Sequence, residues 1–280
     1  GDPNRAEELL TFVEETYRNG STHLCPNGVF YSAILQSYAK QATTEGVTKA
    51  ENLLKRNSEL YEQGKWYAKP NTVMYNAVID AIARGAGDDA GDKAEALLGQ
   101  METMYASGND DLKPSRRTYN AVILAYCGRS GGSIKAERML EKMEQFASMH
   151  EEVYPDRVTF NAVIGAIVGD PDAEVPADRA QAILDTMKSK SVRPDGRTYS
   201  QVIEAWLKCN DDKGRALAEQ ALGNFMEAIE SQKQSGPWLY EEEVWKVVDE
   251  YKLLGEDSAA RSHQQTQIGS MSSGDEYSFF

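Results

Sequence analysis

The chain has 280 residues, of which 41% are hydrophobic and 26% charged, and its formal net charge is −14. No stretch approaches the roughly eighteen consecutive apolar residues of a membrane-spanning helix. Three scattered cysteines, Cys25, Cys127 and Cys209, with no C-x-x-C pair, argue against a disulfide scaffold or a zinc site and point to reducing surroundings. The acidic balance counts against a nucleic-acid partner unless the charges are segregated along the chain.

The opening Gly1-Asp2-Pro3 has neither an initiator Met nor a basic or apolar targeting segment, as expected of a trimmed or processed form. Ala6, Leu10 and Val13 then form a helical stripe within residues 1–25. A phrase begins at Pro26 and recurs: PNGVFYSAIL from Pro26, PNTVMYNAVI from Pro70, PSRRTYNAVI from Pro114, PDRVTFNAVI from Pro155 and PDGRTYSQVI from Pro194. The steps of 44, 44, 41 and 39 residues are those of stacked supersecondary units, here five filling 26–236. Within each unit Tyr75, Val78, Ile79 and Ile82, or their counterparts, fall on one face of a 3.6-residue period.

A second phrase follows about two dozen residues after each proline: Ala50/Leu54, Ala94/Leu98/Met101, Ala136/Leu140/Met143, Ala180/Leu184/Met187 and Ala218/Leu222/Phe225. Residues 1–25 repeat it and read as the second helix of a unit whose first helix is absent. A lone pair would leave an apolar face in water, so the pairs must stack. The expectation is an all-α fold, an α-solenoid of antiparallel helix-turn-helix repeats. Val244, Val247, Val248, Tyr251 and Leu254 predict a capping helix in 237–254. The acidic 255–280 has no periodicity and is expected to be disordered.

The repeats resemble the pentatricopeptide repeat family over roughly residues 5–236. PDRVTFNAVI, followed by AQAILDTM from Ala180, is close to that family's consensus, whereas the Trp and Leu-Gly-x-x-Tyr signature of tetratricopeptide repeats is missing. All four spacings exceed the family's usual period. The resemblance implies single-stranded RNA binding in a mitochondrion or plastid, one base per repeat, read by two or three side chains. Carried onto this sequence, the reading pairs are Ser32 with Asn71, Asn76 with Ser115, Asn120 with Asp156, and Asn161 with Asp195. They resemble an adenine reader, a cytosine reader and two uracil readers, for a preferred run near 5′-A-C-U-U-3′. Ser200 pairs with Trp238, which departs from the pattern. The resemblance places Val29, Val73, Arg117, Val158 and Arg197 on either side of the bases.

The charges are segregated. First-helix segments 28–40, 72–84, 116–129, 157–169 and 196–208 hold eight bases and two acids, a net +6 that leaves −20 elsewhere. Lys40, Arg84, Arg129 and Lys208 recur at first-helix ends, where they could meet phosphates or simply answer the helix dipole. The aromatics Tyr31, Tyr75, Tyr119, Phe160 and Tyr199 are expected in the core, and Cys127 and Cys209 as packed thiols. Asn76, Asn120 and Asn161 also admit a plainer reading, as first-turn polar residues.

No catalytic residues, cofactor or metal site emerge. His23, His150 and His263 are isolated, with no H-x-E and C-x-x-C combination, and Glu241, Glu242 and Glu243 read as a solvated face. The rival to RNA binding is a protein-binding scaffold or accessory subunit of a large organellar complex, favoured by the long insertions and the acidic surface.

Overall fold

The computed structural model describes residues 3–21, 23–41, 43–85, 87–230, 241–251 and 253. It is helical, with no strand among the described residues. Helix α1 (Pro3–Arg18) precedes the helices of the five sequence repeats. The first three are α2 (Gly28–Ala39) with α3 (Thr44–Glu62), α4 (Thr72–Arg84) with α5 (Ala90–Ala106), and α6 (Arg116–Ala125) with α7 (Gly132–Ala147). Then come α8 (Arg157–Gly169), α9 (Pro176–Ser189), α10 (Gly196–Lys208) with α11 (Asp212–Glu230), and finally α12 (Glu241–Glu250). The fold class is the expected solenoid of stacked pairs. Trp238 and the tail 255–280 lie outside the described residues.

Each first helix starts where its sequence puts a cap. The residue after the proline is extended and its side chain accepts from the amide three residues on: Asn27 from Phe30 at 2.9 Å, Asn71 from Met74 at 3.0 Å, Ser115 from Thr118 at 3.3 Å, Asp156 from Thr159 at 3.1 Å and Asp195 from Thr198 at 3.0 Å. Such a cap is worth about 1 kcal/mol. Short 3₁₀ turns not foreseen in the sequence, Trp66–Ala68, Asp110–Leu112 and Glu151–Val153, lead into Pro70, Pro114 and Pro155.

The chain divides into two compact units, residues 1–174 and 175–280. In the first, α2, α4, α6 and α8 pack side by side in chain order, while α3, α5 and α7 each pack against their own first helix and the next one. Tyr31, Tyr75, Tyr119 and Phe160 fill this core, together with Ala94, Leu98, Met101, Ala136 and Met143. Two of the tyrosine hydroxyls find acids on the preceding second helix, Tyr31 donating to Glu14 at 3.0 Å and Tyr119 to Glu102 at 3.0 Å, while that of Tyr75 lies 3.9 Å from Met104 Sδ on α5. Arg56 pairs with the same Glu14, and Lys142 with the same Glu102 at 2.7 Å.

Between α5 and α7 that last pair is one rung of a ladder with Lys135–Asp92 at 2.5 Å and Arg138–Glu95 at 2.8 Å. Both helices bring a glycine in their first turn against Tyr126. A Cβ on Gly91 would sit 2.1 Å from its ring, and one on Gly132 2.2 Å from its carbonyl oxygen. The start of α7 is also held by Asp170, which accepts from the amides of Gly131 at 3.1 Å and Ser133 at 3.0 Å.

In the second unit α9, α11 and α12 all pack on α10. Tyr199, Phe225 and Trp245 form a chain of rings with centroids 5.4 and 6.3 Å apart.

Candidate functional site

The first helices of the first unit present equivalent positions at intervals of one repeat. Three residues before the Asn/Ser position the side chain points outward, and Val29, Val73 and Val158 are at least half exposed. An exposed valine is ordinary; one at the same place on three neighbouring helices is a row of apolar edges. Arg117 occupies the position on α6, and its guanidinium donates to Asp80 of α4 at 2.5 Å. In the second unit Arg197 is bonded to Glu243 at 3.0 and 3.3 Å.

Beside this row the asparagines are nearly covered, with Asn76, Asn120 and Asn161 keeping 8–9% exposure. Asn76 Oδ1 accepts from the Thr118 hydroxyl at 2.7 Å, and Asn120 Oδ1 from the Thr159 hydroxyl at 2.7 Å. The amide nitrogens of Asn76 and Asn120 have no partner among the described residues and are not among the buried unpaired atoms, so they are the ends that meet solvent. Each threonine is itself fixed. The backbone amide of Ser115 donates to Thr118 Oγ1 at 3.0 Å, and that of Asp156 donates to Thr159 Oγ1 at 3.1 Å. The two members of a sequence-predicted pair, such as Asn120 and Asp156, are thus linked through a threonine that the sequence reading passed over. The only signal for it was Thr at the same place in three of the five phrases.

Repeat one differs. The Ser32 hydroxyl donates to the Gly28 carbonyl at 2.6 Å, inside its own helix, and Asn71 serves as the cap of α4. In the second unit Ser200 likewise donates to the Arg197 carbonyl at 3.0 Å, while Asp195 caps α10.

Eight residues beyond the Asn/Ser position come Lys40, Arg84, Gly128, Gly169 and Lys208. Arg129 is therefore one step out of register with the other cations. Its guanidinium donates to the carbonyls of Gly85 and Ala125 at 2.7 Å, Gly87 at 3.0 Å and Cys127 at 3.2 Å, clamping the α4–α5 loop. Lys208 pairs with Glu204 at 2.8 Å, and Arg116 with Asp156 at 3.3 Å. Lys40 and Arg84 have no side-chain partner among the described residues. Much of the positive charge expected along the first helices is thus already neutralised by the protein.

Elsewhere the chemistry is quiet. Burial pushes the Cys127 thiol up to about 11, so it is protonated at neutral pH. Cys209, expected to be packed, is exposed because it lies just beyond the end of α10. No cluster of His, Cys, Asp and Glu suited to a metal ion occurs among the described residues. A cavity of 690 Å³ between α1 and α3 takes in Glu14 and Arg56, which are engaged in the tyrosine clasp, and lies apart from the asparagine row.

Residues 106–170 match the family model described as pentatricopeptide repeat domain. The chain is similar in fold to the crystal structure of the pentatricopeptide repeat protein PPR10 from maize, with a TM-score of 0.53 and 21% identity over 98% of this chain and 38% of that one. A structure of PPR10 in complex with an 18-nt psaJ RNA element matches with a TM-score of 0.48 and 19% identity, over 88% of this chain and 35% of that one. This chain therefore spans about two fifths of the length of the maize protein. No curated protein matches it.

Proposed function

We propose that the chain, which matches the pentatricopeptide repeat model over residues 106–170, binds single-stranded RNA non-catalytically through its first helices, in a mitochondrion or plastid, in RNA processing, stability or translation. One observation carries the reading: outward Val29, Val73, Arg117 and Val158 stand beside a line of polar side chains in which Asn76 and Asn120 each leave an amide nitrogen open to solvent. Valines offer apolar clamps to flat bases, arginine a planar face for stacking, and the amide a donor to a base edge. The pairs Ser32/Asn71, Asn76/Ser115, Asn120/Asp156 and Asn161/Asp195 would read successive bases, and Arg197 and Ser200 would hold the clamp and reader roles of the last repeat. Lys40 and Arg84 are the best-placed phosphate contacts. Lys208 would have to leave Glu204, and Arg129 its carbonyls.

At about 2 kcal/mol per base, four readable repeats give about 8 kcal/mol, a dissociation constant near micromolar. Titration of an oligonucleotide carrying 5′-A-C-U-U-3′, with each base swapped in turn, tests the reading. Weakening on each swap, and a fall in affinity with salt, are expected. Indifference to every swap would end it.

The internal pairing of Arg117, Arg116 and Arg129, on a chain of net charge −14, favours a second reading, that of a scaffold or accessory subunit held by protein partners in a large organellar assembly. Copurification with an intact complex after nuclease treatment, without retention on RNA, would favour it over the first.

A further inference from the structure

We infer that Thr118 and Thr159 are positioning residues that decide which edge of the preceding repeat's asparagine amide meets a base, an inference that rests on the RNA reading above. An asparagine amide has two faces of opposite chemistry, an oxygen that accepts and a nitrogen that donates, and half a turn about its last torsion exchanges them. Nothing within Asn76 or Asn120 selects one face. The threonine hydroxyl does. It lies 2.7 Å from the amide oxygen in both repeats, and its own oxygen accepts an amide hydrogen from the cap residue, at 3.0 Å from Ser115 and 3.1 Å from Asp156. The hydroxyl has one proton to give, and the asparagine oxygen at 2.7 Å is its nearest acceptor, ahead of Ser115 Oγ at 3.0 Å from Thr118 and Asp156 Oδ1 at 3.2 Å from Thr159. The amide oxygen therefore turns inward and the nitrogen turns to solvent.

The hydroxyls are built into the fold. Thr118 and Thr159 are fully buried and close the capping boxes of α6 and α8. Repeat one supplies the contrast. Met74 stands at the threonine position, with no proton to give, and the facing residue is Ser32, whose hydroxyl is satisfied within its own helix at 2.6 Å. Where the orienting group is absent, so is the amide that would need it.

The consequence is chemical and local. A fixed N–H donor suits one acceptor pattern at each repeat, N3 of cytosine opposite Asn76 or O4 of uracil opposite Asn120, where the other pyrimidine presents a hydrogen. An amide free to turn over accommodates both. Thr118→Val keeps the shape and removes the hydroxyl. It should reduce the cytosine/uracil preference at the nucleotide opposite Asn76 roughly fivefold, leaving the preferences opposite the other repeats unchanged. Thr159→Val should do the same opposite Asn120 alone, and Thr118→Ser should restore the preference lost in Thr118→Val.

The experiment is a competition titration of the whole chain and these three variants against oligonucleotides differing at one base, with circular dichroism to confirm folding. If the unsubstituted chain shows no base preference, the RNA reading itself fails. A selective unsubstituted chain, with folded Thr→Val variants equally selective at every position, would sink the positioning role and leave RNA binding standing. A uniform loss of affinity without a change in preference would make the threonines structural only, and overturn the inference as well.

Discussion

In the repeats that begin at Pro70 and Pro114, an asparagine on the first helix is held by a threonine of the next, and a methionine, Met101 or Met143, is buried at the matching place on the second helix. The repeat that begins at Pro26 differs at all three places. Ser32 replaces the asparagine, Met74 the threonine, and Asn57 the methionine, with Asn57 Nδ2 3.9 Å from Met74 Sδ. The polar and apolar partners have exchanged sides of the same interface. The exchange is incomplete, because Asn57 is fully buried and its amide oxygen has no partner among the described residues. Positions that look independent along the chain are therefore coupled through contacts with the neighbouring repeat.

The comparison is broken most severely where backbone meets backbone. Gly132→Ala in repeat three would put a methyl 2.2 Å from the Tyr126 carbonyl oxygen and is expected to destabilise by roughly 3 kcal/mol. The matching Gly46→Ala in repeat one meets the Tyr38 carbonyl at 2.8 Å and should cost less. Urea unfolding of the two variants gives the ranking, and equal midpoints would contradict it.

The second helices also begin differently. The start of α3 is capped by its own Thr43, which accepts from Gly46 N at 3.1 Å, whereas α7 depends on Asp170 from the following repeat. Burial alone would raise the Asp170 carboxyl; the bonds from Ser133, Asp172 and Gly131 outweigh it and hold the group below its ordinary 3.8. Its contribution is therefore fully present above pH 3.8 and is lost as the pH falls through the depressed value. Asp170→Ala should cost about 2 kcal/mol at neutral pH. Hydrogen exchange in acid should release the first amides of α7 before those of α3, since a threonine hydroxyl does not titrate.

Repeat one can be brought closer to its neighbours. Asn57→Met removes a buried amide oxygen without a partner and restores the residue type of Met101 and Met143, so stability should rise by about 1 kcal/mol. A lower melting temperature would mean that Met74 leaves no room. The smallest effect is expected on the α5–α7 ladder. Arg138→Met removes an exposed rung, should cost about 0.5 kcal/mol at low salt, and should cost less as salt is added.

The helix pairs and their core were legible because Tyr75, Val78, Ile79 and Ile82 obey a local period, and because the proline and its cap residue announce each start. The polar links were not, because they join residues about forty positions apart whose alignment depends on loop length. Arg129 illustrates this. By type and place it matched Lys40 and Arg84, yet one residue of offset turns it onto loop carbonyls. Asp170, Thr118 and Thr159 act on a neighbouring repeat, and no pattern within a single repeat exposes such a role. Tyr126 against Gly91 is a contact of the same kind.

The threonine bond makes the smallest transferable piece of this protein longer than its proline-to-proline interval. A segment cut from Pro70 to Pro114 would carry Asn76 into a new host without the hydroxyl that holds it, so a chimera would inherit its behaviour from whatever follows the splice. Extending the insert through Thr118 moves donor, acceptor and the Ser115 amide together. Segments joined in that frame overlap by one helical turn, and each carries its own alignment with it.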